Sequence, residues 1–600
     1  MKRHIQYAFL LFSLLLTFNA CSDDEDNKQN PIELATIQTL IENHILLKNA
    51  VLEDNTWSFN FETQTITYPS ETIHSVTLQK EEWTTLVTFT NETTLSIPTI
   101  GASIDKFIKN TEVNPSGYNP LSAKVLLNLP TLGRVKIIVK SKKGHHEPDV
   151  EHLYCSVEKV QSVPVLGLYP NYNNEVILIY TDKAGNERAR TTIYIQTNSL
   201  DISYLPTANV VTANISAMEP GMNLINSPGL SEADTSCPFI IDSDGEIRWI
   251  LDWRNSKELN HIGAQCGLHR MKNGNYVTGD FNNHQIVEVN TLGEIIHQWD
   301  LKALGYSYHH EITETSNGKL LVAVTKNDAM LADGSNVRSL DHAIELNPLT
   351  GNITKEWDFA QMLDSSRINK IDDDTPGASY YGQSKSNWLH NNGLAESDGE
   401  MVATGRWQGI FKYNYDGNLK WIIAPHNNWE KKYKQYLLTP LDKNGQPITD
   451  QDVINGLKIH PDFEWSWGQH CPVMLPNGHV LVFDNGYCRQ YTSQHDKNYS
   501  RIVEYKIDEK QMTVQQVWQY GKERSECYSA AISGVQYLDK TGNRLFCPGM
   551  GNKLSNGKGG ARIIEINPQT QQVVFELELI SDIVMVFHRA DRISLYPDNL

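Results

Sequence analysis

The sequence predicts an all-β chain. Its larger part reads as a six-bladed β-propeller, preceded by an N-terminal β-sandwich domain and a small β-rich accessory module. Two observations carry this expectation. First, a strand pattern with a late tryptophan recurs: GEIRW ending at Trp249, GEIIHQW at Trp299, GNITKEW at Trp357, GNLKW at Trp421 and MTVQQVW at Trp518; a sixth copy, QQVVFEL, carries Phe575. The successive intervals of 50, 58, 64, 97 and 57 residues have the period of four-stranded blades, apart from an insertion at roughly 424–463. Second, three histidines eighty residues apart, His310, His390 and His470, sit in matching contexts, each followed eight or nine residues later by the glycine of Asn317-Gly318, Asp398-Gly399 or Asn477-Gly478 and then by an apolar run. Equivalent places in a ring of repeats converge on the axis.

The chain has 600 residues, too many for one core, and 40% of them are apolar. Its formal net charge of −19 argues against a nucleic-acid partner, which needs a basic face. Residues 1–21 read as a lipoprotein signal peptide: Lys2-Arg3, an apolar stretch from Ala8 to Phe18 too short to span a bilayer, then Ala20 and Cys21. Cys21 is the expected lipid anchor. The acidic run Ser22 to Asp26 that follows resembles a surface-export signal and opens a linker, 22–31. Removing Cys21 leaves cysteines 155, 237, 266, 471, 488, 527 and 547, an odd number with no CxxC spacing, so a structural zinc site is not expected.

Residues 32–104 form the accessory module. Ile37, Leu40, Ile41, Ile45 and Val51 fit a short amphipathic helix, and strands follow where Trp57, Phe59 and Phe61, then Leu95 and Ile97, alternate. Residues 105–205 carry short apolar runs, Val125 to Leu129, Val135 to Val139 and Val176 to Tyr180, with a hairpin turn at 182–186. They read as the β-sandwich domain. Residues 206–600 form the propeller, and its tryptophans read as blade-packing residues.

The stretch from each histidine to its glycine turn has the length of an innermost blade strand, which lines the channel. His310, His390 and His470 are therefore expected at one channel mouth on three successive blades. Asn392, two residues after His390, would face the same way on a strand. Arg406 ends the strand that pairs back, and a guanidinium there suits a tetrahedral oxyanion such as sulfate. Trp407 and Trp467 are placed to stack on an aromatic ring. A three-histidine zinc site is the competing chemistry, but an arginine beside a metal is unfavourable, and Glu311 points to the other face if the strand is regular.

At these residues the chain resembles the bacterial arylsulfate sulfotransferases that do not use the adenylated sulfate donor, over most of 105–600. The blocks that carry the resemblance are Trp465 to His470, Phe483 to Gly486, Tyr499 to Ile507, Tyr520 to Arg524, and Trp388 to Asn392 with Thr404 to Arg406. Asn114 to Ala123 and Phe587 to Tyr596 resemble the start of the family's β-sandwich and its C-terminal end. The resemblance implies a six-bladed propeller and a ping-pong transfer of a sulfuryl group from an aryl sulfate to a phenol, without cofactor or metal. It implies that His470 becomes sulfated and that His390, Asn392 and Arg406 bind sulfate oxygens. His310, preferred to His309 for its spacing to the glycine turn, would be a further catalytic histidine. Where the family leads one to expect a threonine, this chain has Ile532 followed by Ser533. The expected partners are thus small molecules, an aryl sulfate donor and a phenol acceptor. The membrane is met through the N-terminal lipid alone, on the periplasmic or cell-surface side of the outer membrane, and self-association is compatible with this reading. The alternatives are a non-catalytic surface lipoprotein whose propeller binds a glycan or anion, and a metal- or quinone-dependent propeller enzyme.

Overall fold

The computed structural model describes residues 31–43, 45–79, 84–99, 104–183, 185, 187–226, 237–260, 262, 268–328, 342–369, 371, 383, 387–492, 498–581 and 587–598. Residues 1–21, read above as a signal peptide ending at Cys21, lie outside them, as does Cys266. The chain divides into two compact units, Met1–Ala102 and Ser103–Leu600.

The first unit packs a helix, Pro31–Glu42, with two three-stranded antiparallel sheets. The helix is shorter than the apolar spacing suggested. Asp54 and Asn55 both take positive φ (47° and 61°), the signature of a tight two-residue hairpin, and this turn draws Leu47–Glu53 into a strand against Thr56–Phe61. Val51 therefore pairs with Ser58 instead of ending a helix. Ile37, Phe59, Phe61, Val87, Phe89 and Ile97 fill the core.

In the second unit, the two apolar runs at 125–139 are one strand, Ser122–Val139, rather than two. Its first half pairs with Ile108–Val113 and Glu158–Leu166; its second half pairs with Val150–Leu153 and Asn173–Asp182. One strand thus serves both halves of the domain. Gly133 sits at the change of partners, where a Cβ would lie 2.2 Å from the Thr181 carbonyl oxygen, so no side chain fits.

The remainder forms six antiparallel blades. Blade 2 runs Leu268–Arg270, Tyr276–Asp280, Gln285–Val289, Ile295–Asp300, from innermost strand to outermost. Blade 3 (Tyr306–Glu314 to Ile353–Asp358), blade 4 (Asn391–Ser397 to Leu419–Ile423), blade 5 (His470–Met474 to Thr513–Tyr520) and blade 6 (Gly534–Tyr537 to Val573–Ile580) follow. Blade 1 is composite: Met222–Ile225, Phe239–Ile241 and Ile247–Ile250 come from its start, but the innermost strand, Ala590–Ile593, comes from the C-terminal end. Thr207–Ala213 meanwhile adds to the outside of blade 6. The ring is closed at both edges by pairing first-sequence with last-sequence strands, so no sheet edge is left at the seam.

Every tryptophan of the repeat lies on the fourth strand of its blade counted from the axis, as does Phe575. Their indoles reach across to the next blade's outer hairpin. Trp249 donates to the Thr291 carbonyl (2.7 Å), Trp357 to Tyr415 (3.0 Å), Trp421 to Glu509 (3.0 Å) and Trp518 to Pro568 (3.1 Å). Trp299 packs under Gly351 (φ +72°), where a Cβ would meet the indole at 2.7 Å. The insertion at 424–463 contributes Thr439–Leu441, which lies parallel to the outer strand of blade 5.

Trp421 is 1% exposed. Trp421→Ala should lower stability by about 3–5 kcal/mol, combining lost burial with a residual cavity, and should be read as a depressed thermal midpoint. A midpoint unchanged within error would mean that the blade-to-blade indole is not a main contributor.

Candidate active site

The three inner strands that carry the predicted histidines share one irregularity. Blade 3 shifts register between Tyr308 and Ile312, blade 4 between Asn391 and Gly393, blade 5 between His470 and Val473. At these bulges His310, His390 and Cys471 take positive φ of 49°, 55° and 50°. A bulge re-aims a side chain at a cost in backbone strain, and such strain is retained where the surroundings over-determine it. The simple alternation expected of a regular strand therefore does not set directions here. His390 precedes its strand, which begins at Asn391.

The bulges bring the three rings together. The His310 ring centroid lies 5.4 Å from that of His390 and 6.4 Å from that of His470. His309 stands behind His310, its Nδ1 3.3 Å from the His310 Nδ1. A fourth ring completes the group: His588, from the segment leading into the closing strand, is 6.0 Å from His310 and 6.4 Å from His470. His588 belongs to a sequence block quoted above, but it falls outside the eighty-residue repeat. Only the seam of the ring delivers it to the mouth.

His470 is 1% exposed, and its hydrogen bonds fix its tautomer. Nδ1 lies 2.9 Å from the Gly468 carbonyl oxygen and 2.7 Å from Asn485 Oδ1. The Asn485 amide nitrogen donates to the Ser529 and Ile532 carbonyls, so Oδ1 is the atom facing the histidine. Both partners of Nδ1 are acceptors, so Nδ1 carries the proton and Nε2 keeps its lone pair. That lone pair accepts the Ile532 backbone N–H at 3.2 Å. Asn485 was not singled out from the sequence; its block, Phe483 to Gly486, was the available signal.

Arg406 follows the second strand of blade 4 and is tied to His390 through its backbone N–H, 2.9 Å from the His390 carbonyl oxygen. Its guanidinium lies 5.3 Å from the Tyr487 ring centroid. Trp407, Trp467, Tyr487 and Tyr491 line the same pocket, so the two predicted tryptophans do stand beside the arginine. His390 Nδ1 is 2.8 Å from Asn387 Oδ1, which leaves its Nε2 as the acceptor. Asn392 is fully buried. Its amide nitrogen donates to the Gln469 carbonyl at 3.3 Å, bracing the backbone just before His470, and its Oδ1 has no hydrogen-bond partner among the described residues.

Burial, and then the Arg406 charge, holds the His310 ring down to about 4. The same two causes, in the same order, hold His390 and His470 well below the ordinary histidine range. His588 is lowered by burial, then by His310 and Arg589. At neutral pH the mouth is a set of neutral imidazoles beside one guanidinium. Glu311 is 1% exposed and bonds Arg589 at 3.1 Å; burial, opposed by that arginine, raises it to about 7. Among the described residues no group of three or more His, Cys, Asp or Glu side chains is arranged to hold a metal ion.

Comparison with known proteins identifies a family. The family model "Arylsulfotransferase (ASST)" matches residues 207–588, more than half of the chain, and "Arylsulfotransferase Ig-like domain" matches 110–198. The chain therefore belongs to the arylsulfotransferase family. It is 28% identical over 548 residues to the arylsulfate sulfotransferase AssT of Escherichia coli O6:H1, covering 78% of this chain and 90% of that protein. It is likewise 28% identical over 549 residues to AssT of Lelliottia amnigena, with the same coverage. Among solved structures, virginiamycin B lyase from Staphylococcus aureus overlaps at a TM-score of 0.28 and 11% identity, covering 62% of this chain and 99% of that one. A Bacteroides thetaiotaomicron protein of unknown function overlaps at 0.30 and 9%, covering 82% and 90%. Both overlaps are too loose to bear on the fold, which rests on the strand pairing.

The neutral histidines make stability depend on pH. Free histidine titrates near 6.5, whereas His310 is held to about 4 and His269 to about 3. Between these values the unfolded chain binds protons that the folded chain refuses. The stability these groups carry is complete above pH 6.5 and is lost as pH falls towards 4. Glu311 acts oppositely, losing stability as pH rises from 4.5 through about 7, but it is outnumbered. The thermal midpoint should fall between pH 6.5 and 5, and His390→Gln should flatten the fall. A midpoint constant over that interval would contradict neutral burial.

Proposed function

We propose that this arylsulfotransferase moves a sulfuryl group from a phenolic sulfate ester to a phenolic acceptor in a ping-pong sequence through a sulfohistidine at His470. The observation that carries the reading is the hydrogen bonding of His470: two acceptors hold the Nδ1 proton, and Nε2 is left unprotonated with its lone pair accepting the Ile532 backbone N–H.

In the first half-reaction Nε2 attacks sulfur, the S–O bond to the aryl group breaks, and the phenolate leaves. His470 becomes an imidazolium bearing the sulfuryl group, still protonated at Nδ1. The Gly468 carbonyl and Asn485 Oδ1 are already placed to meet the positive charge that develops, so little reorganisation is needed. The Ile532 N–H, released from Nε2 as that lone pair is used, is placed to donate to a sulfuryl oxygen. Arg406 supplies the positive charge for a monoanionic sulfate ester, and Trp407 and Trp467 a face for the aryl ring. In the second half-reaction a phenol oxygen attacks sulfur and the bond to Nε2 breaks. The phenol's proton goes to a neutral ring, for which His310, held to about 4, is available at neutral pH. His390, with Nδ1 engaged by Asn387 and Nε2 as acceptor, shares the sulfate site and can take the same proton. Asn392 supports the sulfate site from below through Gln469.

The N-terminal reading supports placing the enzyme on the outer membrane through a lipid on Cys21, facing the periplasm or the exterior. Cys21→Ala should release it from the membrane fraction; retention there would remove the anchor.

Release of nitrophenolate from 4-nitrophenyl sulfate, with and without phenol, tests the mechanism. Wild type should show phenol-dependent release and a sulfuryl group on the peptide containing His470. His470→Ala should abolish both while melting as wild type; retained turnover would sink the covalent route. Asn485→Ala, which removes one acceptor from Nδ1, should lower kcat about 10²-fold, on the scale of losing a preorganised polar contact at the developing charge.

A further inference from the structure

We propose that His588 is a further substrate-contacting residue, donating a ring N–H to an oxygen of the sulfuryl group as it passes to and from His470. This rests on the sulfohistidine reading above and adds to it a residue from outside the histidine repeat.

His588 is 3% exposed, yet its Nδ1 has no hydrogen-bond partner among the described residues. A buried polar nitrogen without a partner is uncommon, and an apolar side chain of similar size would fill the space without leaving it bare. The ring faces both His310 and His470, at centroid distances of 6.0 and 6.4 Å. Those separations are too long for direct ring-to-ring hydrogen bonds, so neither neighbouring ring satisfies the His588 Nδ1. The position is held firmly on both sides. The Phe587 N–H donates to the Gly549 carbonyl at 3.0 Å, the Arg589 N–H donates to the side-chain Oδ1 of Asn226 at 3.1 Å, and the Arg589 carbonyl accepts the Asn226 N–H at 3.3 Å. The Arg589 side chain is clamped by Glu311 at 3.1 Å and Asp591 at 3.3 Å. His588 thus sits on a fixed backbone with its ring beside those of His310 and His470.

The chemistry follows from its neutrality. A neutral imidazole carries one N–H and one lone pair, and an anion alongside favours the tautomer with N–H facing the anion. Such a donor strengthens its bond as charge gathers on the sulfuryl oxygens, without adding a second fixed cation next to Arg406. No proton is transferred by His588 in either half-reaction; the bonds made and broken are those at sulfur described above.

Three variants test this: His588→Leu, which keeps bulk but no donor, and His588→Gln and His588→Asn, which each place an amide N–H near one of the two ring nitrogens. Measured quantities are kcat and KM for 4-nitrophenyl sulfate with phenol, the single-turnover rate at which the His470 peptide gains a sulfuryl group, and the thermal midpoint. We expect His588→Leu to melt like wild type but to lose about 10²-fold in kcat and in the sulfation rate, the scale for removing one preorganised donor. At least one of the amide variants should recover most of it, and KM should move less than kcat. Wild-type sulfation rates in His588→Leu, or equal losses in all three variants, would overturn the proposal and leave His588 a packing residue. Absence of sulfated His470 in the wild type would instead overturn the parent reading.

Discussion

The structure depends on the seat each outer-strand indole finds under the neighbouring blade. The indoles of Trp249, Trp357, Trp421 and Trp518 donate to a group on the next blade's outer hairpin, and Trp299 lies beneath one closed by Gly351. The contact is apolar in bulk and polar at one atom, so it fixes both spacing and rotation between blades. Inner strands of a ring have little room to correct an error made at the rim. Ring centroids within 6.4 Å at the mouth, contributed by residues eighty positions apart, are possible because the outer contact repeats.

Closure is the second constraint, and it touches the site directly. The strand that completes blade 1, Ala590–Ile593, pairs with Met222–Ile225, and the residues just before it are His588 and Arg589. Arg589 bonds Glu311, the residue after His310. The pairing that seals the ring thereby also connects the seam to blade 3, with a buried carboxylate and guanidinium satisfied by each other rather than by water. Charge at the mouth is then simple. The acidic side chain nearest His310 is consumed by Arg589, the histidines are neutral, and Arg406 faces the aromatic pocket. A chain with a formal charge of −19 thus presents a locally cationic pocket to an anionic ester.

Much of this was legible in the sequence, and what was not has identifiable causes. The tryptophan period revealed the blades because the rim contact recurs in every copy. The histidine spacing located the mouth because inner strands repeat with the blades. Simple alternation does not set directions around His310, His390 and Cys471, because each takes positive φ in or just before a bulge, and a bulge leaves no composition signal when the residue is not glycine. His588 escaped the repeat because strand order at the seam is not sequence order. The helix expected up to Val51 ended at Glu42 because the Asp54-Asn55 turn outweighed helical spacing. The long strand Ser122–Val139 was read as two because Pro130 and Gly133 usually punctuate strands; here Gly133 accommodates a close backbone neighbour without interrupting the ladder.

Position 532, where the resemblance leads one to expect threonine, carries a backbone donor to His470 that needs no hydroxyl. A threonine there would offer a hydroxyl; isoleucine offers none. Ser533 does not replace it, since its hydroxyl donates to Ser529 Oγ at 2.8 Å and accepts the Gly549 N–H at 3.0 Å. Yet both residues take positive φ, 50° and 84°, and this turn aims the Ile532 N–H at His470 Nε2. Positive φ is costly for a β-branched residue, so the turn must be held from outside. The Asn485 amide nitrogen does so, donating to the Ile532 carbonyl while its oxygen holds Nδ1 of His470. One asparagine thus sets the tautomer of His470 and the direction of the backbone donor opposite its lone pair. A backbone N–H survives any side-chain change short of proline, so the donor to His470 Nε2 does not depend on which side chain stands at 532. On that argument the polar geometry around His470 rests on Asn485 and on the backbone at 532, not on the side chain there.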